Sequence, residues 1–251
     1  MAEKRIIPCL DIRDGRVVKG KKFQNVQDVA SPIDLAKQYE MDQADVLFLL
    51  DITGNDRATF LNVIKEIADT TTLPLYVGGG IRTIEDIGAV LQAGAKKVSI
   101  TSAAIQQPSI LKEATDIFGG EQIILSIDAK HVASNKWHAY TKGGKYDSGL
   151  DVIEWAKQGE ALGVGEVLLN SIDADGVKEG YDLTLNKAVC DAIDIPVIAS
   201  GGAGEQTHFR DVLSKGKASA ALAASVFHYG EIKITDLKEY LTNCDIVVKE
   251  M

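Results

Sequence analysis

Two aspartates stand at the ends of short apolar runs that resemble each other, Asp11 in CLDI and Asp128 in SIDA. A carboxylate at such a place can give or take a proton during ring opening, enolisation or ring closure, and partial desolvation would raise its pKa toward a useful range. An aspartate also often caps a loop by accepting backbone N–H bonds, and for either residue alone that use is equally open. Glycines and small hydroxyl residues lie nearby in the same pattern. Gly78-Gly79-Gly80 is followed downstream by Thr101-Ser102-Ala103-Ala104, and Gly201-Gly202 by Ala223-Ala224-Ser225. Where side chains are small, backbone N–H groups can approach an anion closely. One Gly-Gly loop is more often a tight turn; two that match each other point to two anion cradles.

The matching extends along the chain. LYVGGGI aligns with IASGGAG, so that Gly79 pairs with Gly201 and Gly80 with Gly202 at one spacing; SITSAAI aligns with ALAASVF at that spacing, and Leu49-Leu50 with Leu168-Leu169 at a slightly shorter one. A repeat of this length implies two halves built alike. The elements that carry it alternate between short Val, Ile and Leu runs and longer segments of helical period. Eight strands are expected, beginning near residues 5, 45, 74, 97, 122, 166, 196 and 218. Helices are expected to open at Ser31-Pro32, Arg57, Thr83, Pro108, Asp151, Asp182, Gln206 and Thr235; Pro at the first helical position and acidic residues in the first turn are ordinary start signals. The fold class is therefore α/β, a (β/α)8 TIM barrel with a two-fold half-barrel repeat, formed by residues 1–251 as a single domain; an open doubly wound sheet is the alternative. At 251 residues the chain has the usual size of one such barrel.

Barrel enzymes place catalytic groups at the C-terminal ends of strands, where Asp11 and Asp128 fall, and the repeat sets the two across the mouth from one another. Two cradles on opposite sides would suit an elongated ligand with a phosphate at each end. Two loops are longer than the fold needs, about residues 13–31 and 129–149. The first contains Gly15, Gly20 and several lysines and is a candidate mobile lid; the second reads as a hairpin turning at Gly143-Gly144. Asp51, Asn170, Asp173 and Asp175 end strands and could line the mouth. His208 and His228 lie near the second cradle and read as packed or capping residues, and Cys9, beneath Asp11, reads as core.

Composition narrows the function classes. A formal charge of −9 and a pI near 5.0 argue against nucleic acid or anionic lipid as partner, since both need clustered Lys and Arg. Cys9, Cys190 and Cys244 are widely spaced and odd in number, which fits a reducing cytoplasm rather than a disulfide framework or a zinc site. With no His/Asp/Glu cluster at ligand spacing, neither a metal nor another cofactor is expected. The N-terminal segment has too short an apolar run for a signal peptide, and no stretch reaches membrane-span length.

Taken as an ordered set, KRIIPCLDIRDGRVVKG, LPLYVGGGIRT, SIDAK, SIDADGVKEGYD and PVIASGGAG with AALAASVFH resemble the cyclase subunit of imidazole glycerol phosphate synthase, the histidine-biosynthesis barrel. The resemblance implies a lyase that uses ammonia from a separate glutaminase subunit and a bisphosphorylated ribulosyl-formimino aminoimidazole carboxamide nucleotide. It implies general acid/base roles for Asp11 and Asp128 and a lid lysine at Lys19. Phosphate- and substrate-binding positions map to Gly80, Thr101, Ser102, Asn170, Asp175, Gly176, Gly202, Ala224 and Ser225. Thr101 stands where the family usually has asparagine. At the other end of the barrel the family carries a charged ring, the ammonia gate and partner face; Arg5, Lys97 and Glu166 match it, whereas Val46 replaces an acidic member and Asp45, by strand alternation, faces the other way. Three further readings stay open: the isomerase one step earlier in the same pathway, an amidotransferase barrel recruited to another acceptor, and a non-catalytic regulatory barrel.

Overall fold

The computed structural model describes residues 3–21, 24–54 and 56–249, with only the backbone for residues 19–21 and 24–30. Its strands are β1 (Arg5–Arg13), β2 (Arg16–Lys21), β3 (Gln24–Ala30), β4 (Leu47–Asp51), β5 (Leu75–Gly78), β6 (Lys97–Ile100), β7 (Ile123–Ala133), β8 (Lys136–Thr141), β9 (Tyr146–Asp151), β10 (Glu166–Ser171), β11 (Val197–Ser200) and β12 (Ala220–Ala223). Its helices are α1 (Pro32–Met41), α2 (Arg57–Thr70), α3 (Ile84–Gln92), α4 (Ser102–Gln106), α5 (Ser109–Phe118), α6 (Val152–Ala161), α7 (Leu183–Cys190), α8 (Gln206–Ser214), α9 (Ser225–His228) and α10 (Ile234–Asn243).

Eight of the strands pair in parallel in the order β1, β4, β5, β6, β7, β10, β11, β12, and β12 returns to β1. The ring is closed, so the chain is a (β/α)8 barrel and the open-sheet alternative is excluded. All eight expected strands and all eight expected helix starts are present within a few residues. The short helices α4 and α9, which follow β6 and β12, were not expected: five and four residues are too few for a periodic signal.

Strand alternation divides the apolar residues into two cores. Ile7, Cys9, Val46, Phe48, Tyr76, Ile124, Leu168, Ile198, Ala220 and Leu222 fill the barrel interior. Their neighbours, such as Ile6, Leu10, Leu47, Leu49, Val98 and Leu169, face outward into the layer shared with the helices. The same alternation carries Asp11, Asp128 and Asn170 inward at the C-terminal ends of their strands.

The two long loops extend the barrel with antiparallel strands. Segment 13–31 forms β2 and β3, paired with each other and with the end of β1; Lys22, Phe23 and the side chain of Lys19 lie outside the described residues, and so does any test of the lid. Segment 129–149 is more than the single hairpin expected. The turn at Gly143-Gly144 joins β8 to β9, and a further turn at Asn135, with φ of 51°, folds β8 back on an extended β7.

Candidate active site

β1 and β7 are four places apart in a ring of eight, so Asp11 and Asp128 face each other across the mouth. Register shows how each is flanked. Asp11 lies beside Leu50 of β4, which lies beside Gly78 of β5. Asp128 lies beside Asn170 of β10, which lies beside Ser200 of β11. The equivalent of Leu50 is therefore Asn170, one residue further along than the alignment of Leu49-Leu50 with Leu168-Leu169 suggests.

Asn170 Nδ2 donates to Asp128 Oδ1 at 3.0 Å, and Ser200 Oγ donates to Asn170 Oδ1 at 3.1 Å. Burial raises the pKa of Asp128 above the ordinary carboxylate range; the Asn170 hydrogen bond pulls the other way, and the negative charge of Asp175 adds to the rise. A rise of this direction makes a carboxyl group a better proton donor and acceptor for catalysis than a solvent-exposed one.

The glycine loops have the geometry that their residues allow. Gly79 and Gly80 have φ of 85° and 65°, Gly201 and Gly202 of 89° and 108°, all in the left-handed region. Contact is closest at Gly202, where a Cβ would lie 2.0 Å from the Gly180 carbonyl oxygen, and at Gly79, where it would lie 2.1 Å from that of Asp51. Gly180 N–H donates back to the Gly202 carbonyl at 2.8 Å. Gly176, φ 74°, is open to the mouth, with nothing within 4 Å of where a Cβ would stand. After β6 and β12 the backbone makes the same unusual turn, at Thr101 (φ −115°, ψ −89°) and Ala224 (φ −122°, ψ −75°), before α4 opens at Ser102 and α9 at Ser225. Ser102 Oγ also accepts from Lys142 N–H at 3.1 Å, tying the β8–β9 turn to the start of α4.

Other residues at the mouth serve the loops. Asp51 Oδ1 accepts from Thr53 N–H, Thr53 Oγ1 and Gly54 N–H at 2.9, 3.0 and 2.8 Å. Asp173 Oδ2 accepts from His131 N–H at 2.8 Å and holds the β7 extension. His208 Nδ1 accepts from Gly204 and Glu205 N–H at 3.1 and 3.2 Å, capping the second glycine loop, and His228 Nδ1 packs 2.6 Å from the Tyr39 hydroxyl.

At the opposite end of the barrel Glu166 is fully buried beneath two cations, Arg5 and Lys97, the latter at 2.8 Å. Burial alone would lower the pKa of Arg5; the Glu166 charge and hydrogen bond more than offset it, and the guanidinium is held above its ordinary value. Tyr76, which the sequence reading passed over, completes the cluster: its hydroxyl accepts from Arg5 Nη1 at 3.1 Å, and Lys97 Nζ lies 5.2 Å from its ring centre. Its one sequence signal is parity, since Tyr76 and Gly78 share the inward face of β5. Val46 is apolar interior, and Asp45 faces outward, where it accepts from Lys238 Nζ at 2.6 Å and Ile6 N–H at 2.7 Å. Among the described residues no group of three or more His, Cys, Asp or Glu could hold a metal ion, and no helix is long and apolar enough to cross a membrane.

Known proteins resemble the chain over nearly its whole length. The model of the family described as "Histidine biosynthesis protein" matches residues 5–233. The chain is 54% identical over 251 residues to the imidazole glycerol phosphate synthase subunit HisF of Oceanobacillus iheyensis, covering 99% of this chain and 98% of the relative. The subunits of the same name from Endomicrobium trichonymphae and Hydrogenobaculum sp. are each 49% identical, over 98% and 99% of this chain and 95% and 100% of theirs.

Proposed function

The chain belongs to the HisF family, the cyclase subunits of imidazole glycerol phosphate synthase, and on that premise we propose how its barrel carries out the reaction. The substrate is the bisphosphorylated ribulosyl-formimino aminoimidazole carboxamide nucleotide, and the nitrogen donor is ammonia from a glutaminase subunit. The products are imidazole glycerol phosphate and aminoimidazole carboxamide ribonucleotide. The observation that carries this reading is the placement of two inward carboxylates on opposite strands, with one left-handed glycine loop between them on each side of the ring.

Each phosphate is held by one half of the barrel. Gly80, Thr101 and Ser102 receive one; Gly202, Ala224 and Ser225, with the loop at Asp175 and Gly176, receive the other. Asp11 and Asp128 then flank the middle of the substrate, where ammonia adds and the imidazole ring closes, and they exchange protons with it as general acid and base. Lys19, on β2 beside the mouth, closes over the bound substrate. Metal and cofactor have no part in the scheme.

The glutaminase docks on the N-terminal rim around Arg5, Lys97 and Glu166, and ammonia enters the barrel there, in the cytoplasm. With Val46 in the ring, Tyr76 supplies the oxygen that Arg5 meets opposite Glu166. Charge reversal at Lys97 is expected to cut glutamine-dependent turnover and leave turnover with ammonium salt in place.

The central test is turnover of the bisphosphorylated nucleotide with ammonium salt alone, following both products, in the unaltered chain, Asp11→Asn and Asp128→Asn. Loss of cyclisation in both variants with substrate binding retained is the expected result. Failure of the folded, unaltered chain to cyclise a substrate that it binds would overturn the reading.

A further inference from the structure

The strand neighbours of the two aspartates differ in kind. Across three adjacent strands the first half reads Asp11, Leu50, Gly78 and the second reads Asp128, Asn170, Ser200, in the same register. The second row is a chain of hydrogen bonds: Ser200 Oγ to Asn170 Oδ1 at 3.1 Å, then Asn170 Nδ2 to Asp128 Oδ1 at 3.0 Å. The first row offers an alkyl group and a hydrogen atom at the same two places.

We propose that Ser200 is a positioning residue, fixing the orientation of the Asn170 amide so that Asp128 offers its other oxygen, Oδ2, to the substrate. The proposal rests on the proton-transfer role given to Asp128 above. An ionised carboxylate only accepts hydrogen bonds, so the amide must turn its NH2 group to Asp128 and its oxygen away. That oxygen then needs a donor. The Ser200 hydroxyl is on the adjacent strand at hydrogen-bonding distance, and Gly201, where a Cβ would come within 3.1 Å of Asn170 Oδ1, leaves room for the amide. Without the hydroxyl the amide oxygen loses its donor and the NH2 group is a weaker partner for the charged carboxylate, while a protonated Asp128 can turn the amide round and donate its O–H to the amide oxygen. Both effects favour the neutral form, so the pKa of Asp128 rises further.

The test is the titration of Asp128 in the full chain, followed through its carboxyl carbon resonance in protein labelled at aspartate and assigned by its absence in Asp128→Asn. Relative to the unaltered chain, Ser200→Ala is expected to move the midpoint upward by about half a pH unit, and Asn170→Leu, which copies the first half, by about one unit or more. Ser200→Thr, which keeps the hydroxyl, should restore it. In turnover with ammonium salt, Ser200→Ala should lower kcat more than it raises KM, and the limb of the kcat–pH profile that Asp128 controls should move to higher pH. An unchanged midpoint in folded Ser200→Ala, or an effect confined to KM, overturns the proposal. If Ser200→Ala loses its fold, Ser200→Cys, with a similar volume and a weaker donor, decides by the same readout. Because the titration needs no substrate, absence of cyclisation in the unaltered chain would remove the proposed function and leave the hydrogen-bonded chain standing.

Discussion

The half of the barrel from β1 to α5 and the half from β7 to α10 share strand register, left-handed glycines and the turn before a short helix, but not the groups around them. In the first half Leu50 and Gly78 line the row beside Asp11; in the second Asn170 and Ser200 engage Asp128. The loop after the first glycines is capped by a carboxylate: Asp86 Oδ2 accepts from Arg82 and Thr83 N–H at 2.8 and 3.1 Å. The corresponding cap in the second half is the imidazole of His208. Backbone conformation is thus the conserved part of the repeat, and the side chains beside it are free to diverge. On the strands beside Asp11 the row is apolar; on the strands beside Asp128 it is a hydrogen-bonded pair of side chains.

The largest expected break in the comparison is catalytic. Asp11→Asn and Asp128→Asn should each lower turnover by about 10²–10⁴-fold, the usual range for removing a general acid or base, and steady-state assays with ammonium salt measure it. Stability should then separate the two halves. The folded pKa of Asp128 is raised, so between the unfolded and folded values the native state binds more protons than the unfolded one, and stability falls as pH rises through that window. Asp128→Asn removes this loss. Its melting temperature should exceed that of the unaltered chain, with the gap widening as pH rises from the carboxylate range and levelling off above the folded pKa.

The glycine loops offer a second contrast. Gly202→Ala sets a Cβ 2.0 Å from the Gly180 carbonyl and must displace backbone, whereas at Gly80 the nearest atom is Gly54 Cα at 3.2 Å. Gly80→Ala should therefore cost about 1–2 kcal/mol in left-handed strain with only a small shift of Gly54, and Gly202→Ala clearly more; denaturant titration of both variants ranks them. The smallest effect concerns the caps. Asp86→Ala and His208→Ala should each cost about 1 kcal/mol, as lost helix caps do; equal losses in thermal denaturation would show that carboxylate and imidazole do equivalent work, and unequal ones would show where the halves differ in rigidity.

Much of this was legible in the sequence. The eight strands could be read from short β-branched runs, and the two left-handed glycine loops from glycines repeated at a fixed spacing. Asp11 and Asp128 could be found because strand parity and the repeat agree. The outward turn of Asp45 followed from parity as well, and its contact with Lys238 bears that out. What stayed hidden depends on register between strands far apart in the chain. Nothing in LYVG singles out Tyr76 as a partner of Arg5, and nothing in VIAS ties Ser200 to Asn170. The pairing of Leu50 with Asn170 slipped by one residue because the repeat has gained and lost residues in its loops, which a sequence alignment spreads into the strands.

Closure of the eight-stranded ring has a consequence for self-association. A closed barrel presents no strand edge to a neighbouring molecule, and among the described residues only β3 and β9 have a single partner strand. Both belong to the excursions at the mouth, and both read as poor templates for strand addition: QNVQDVA carries four polar residues, and YDSGLD carries two aspartates and a left-handed glycine at Gly149. The barrel removes every other edge by geometry; these two it leaves to composition. Making β9 apolar while improving the mouth would therefore risk turning the barrel into a seed for intermolecular sheet.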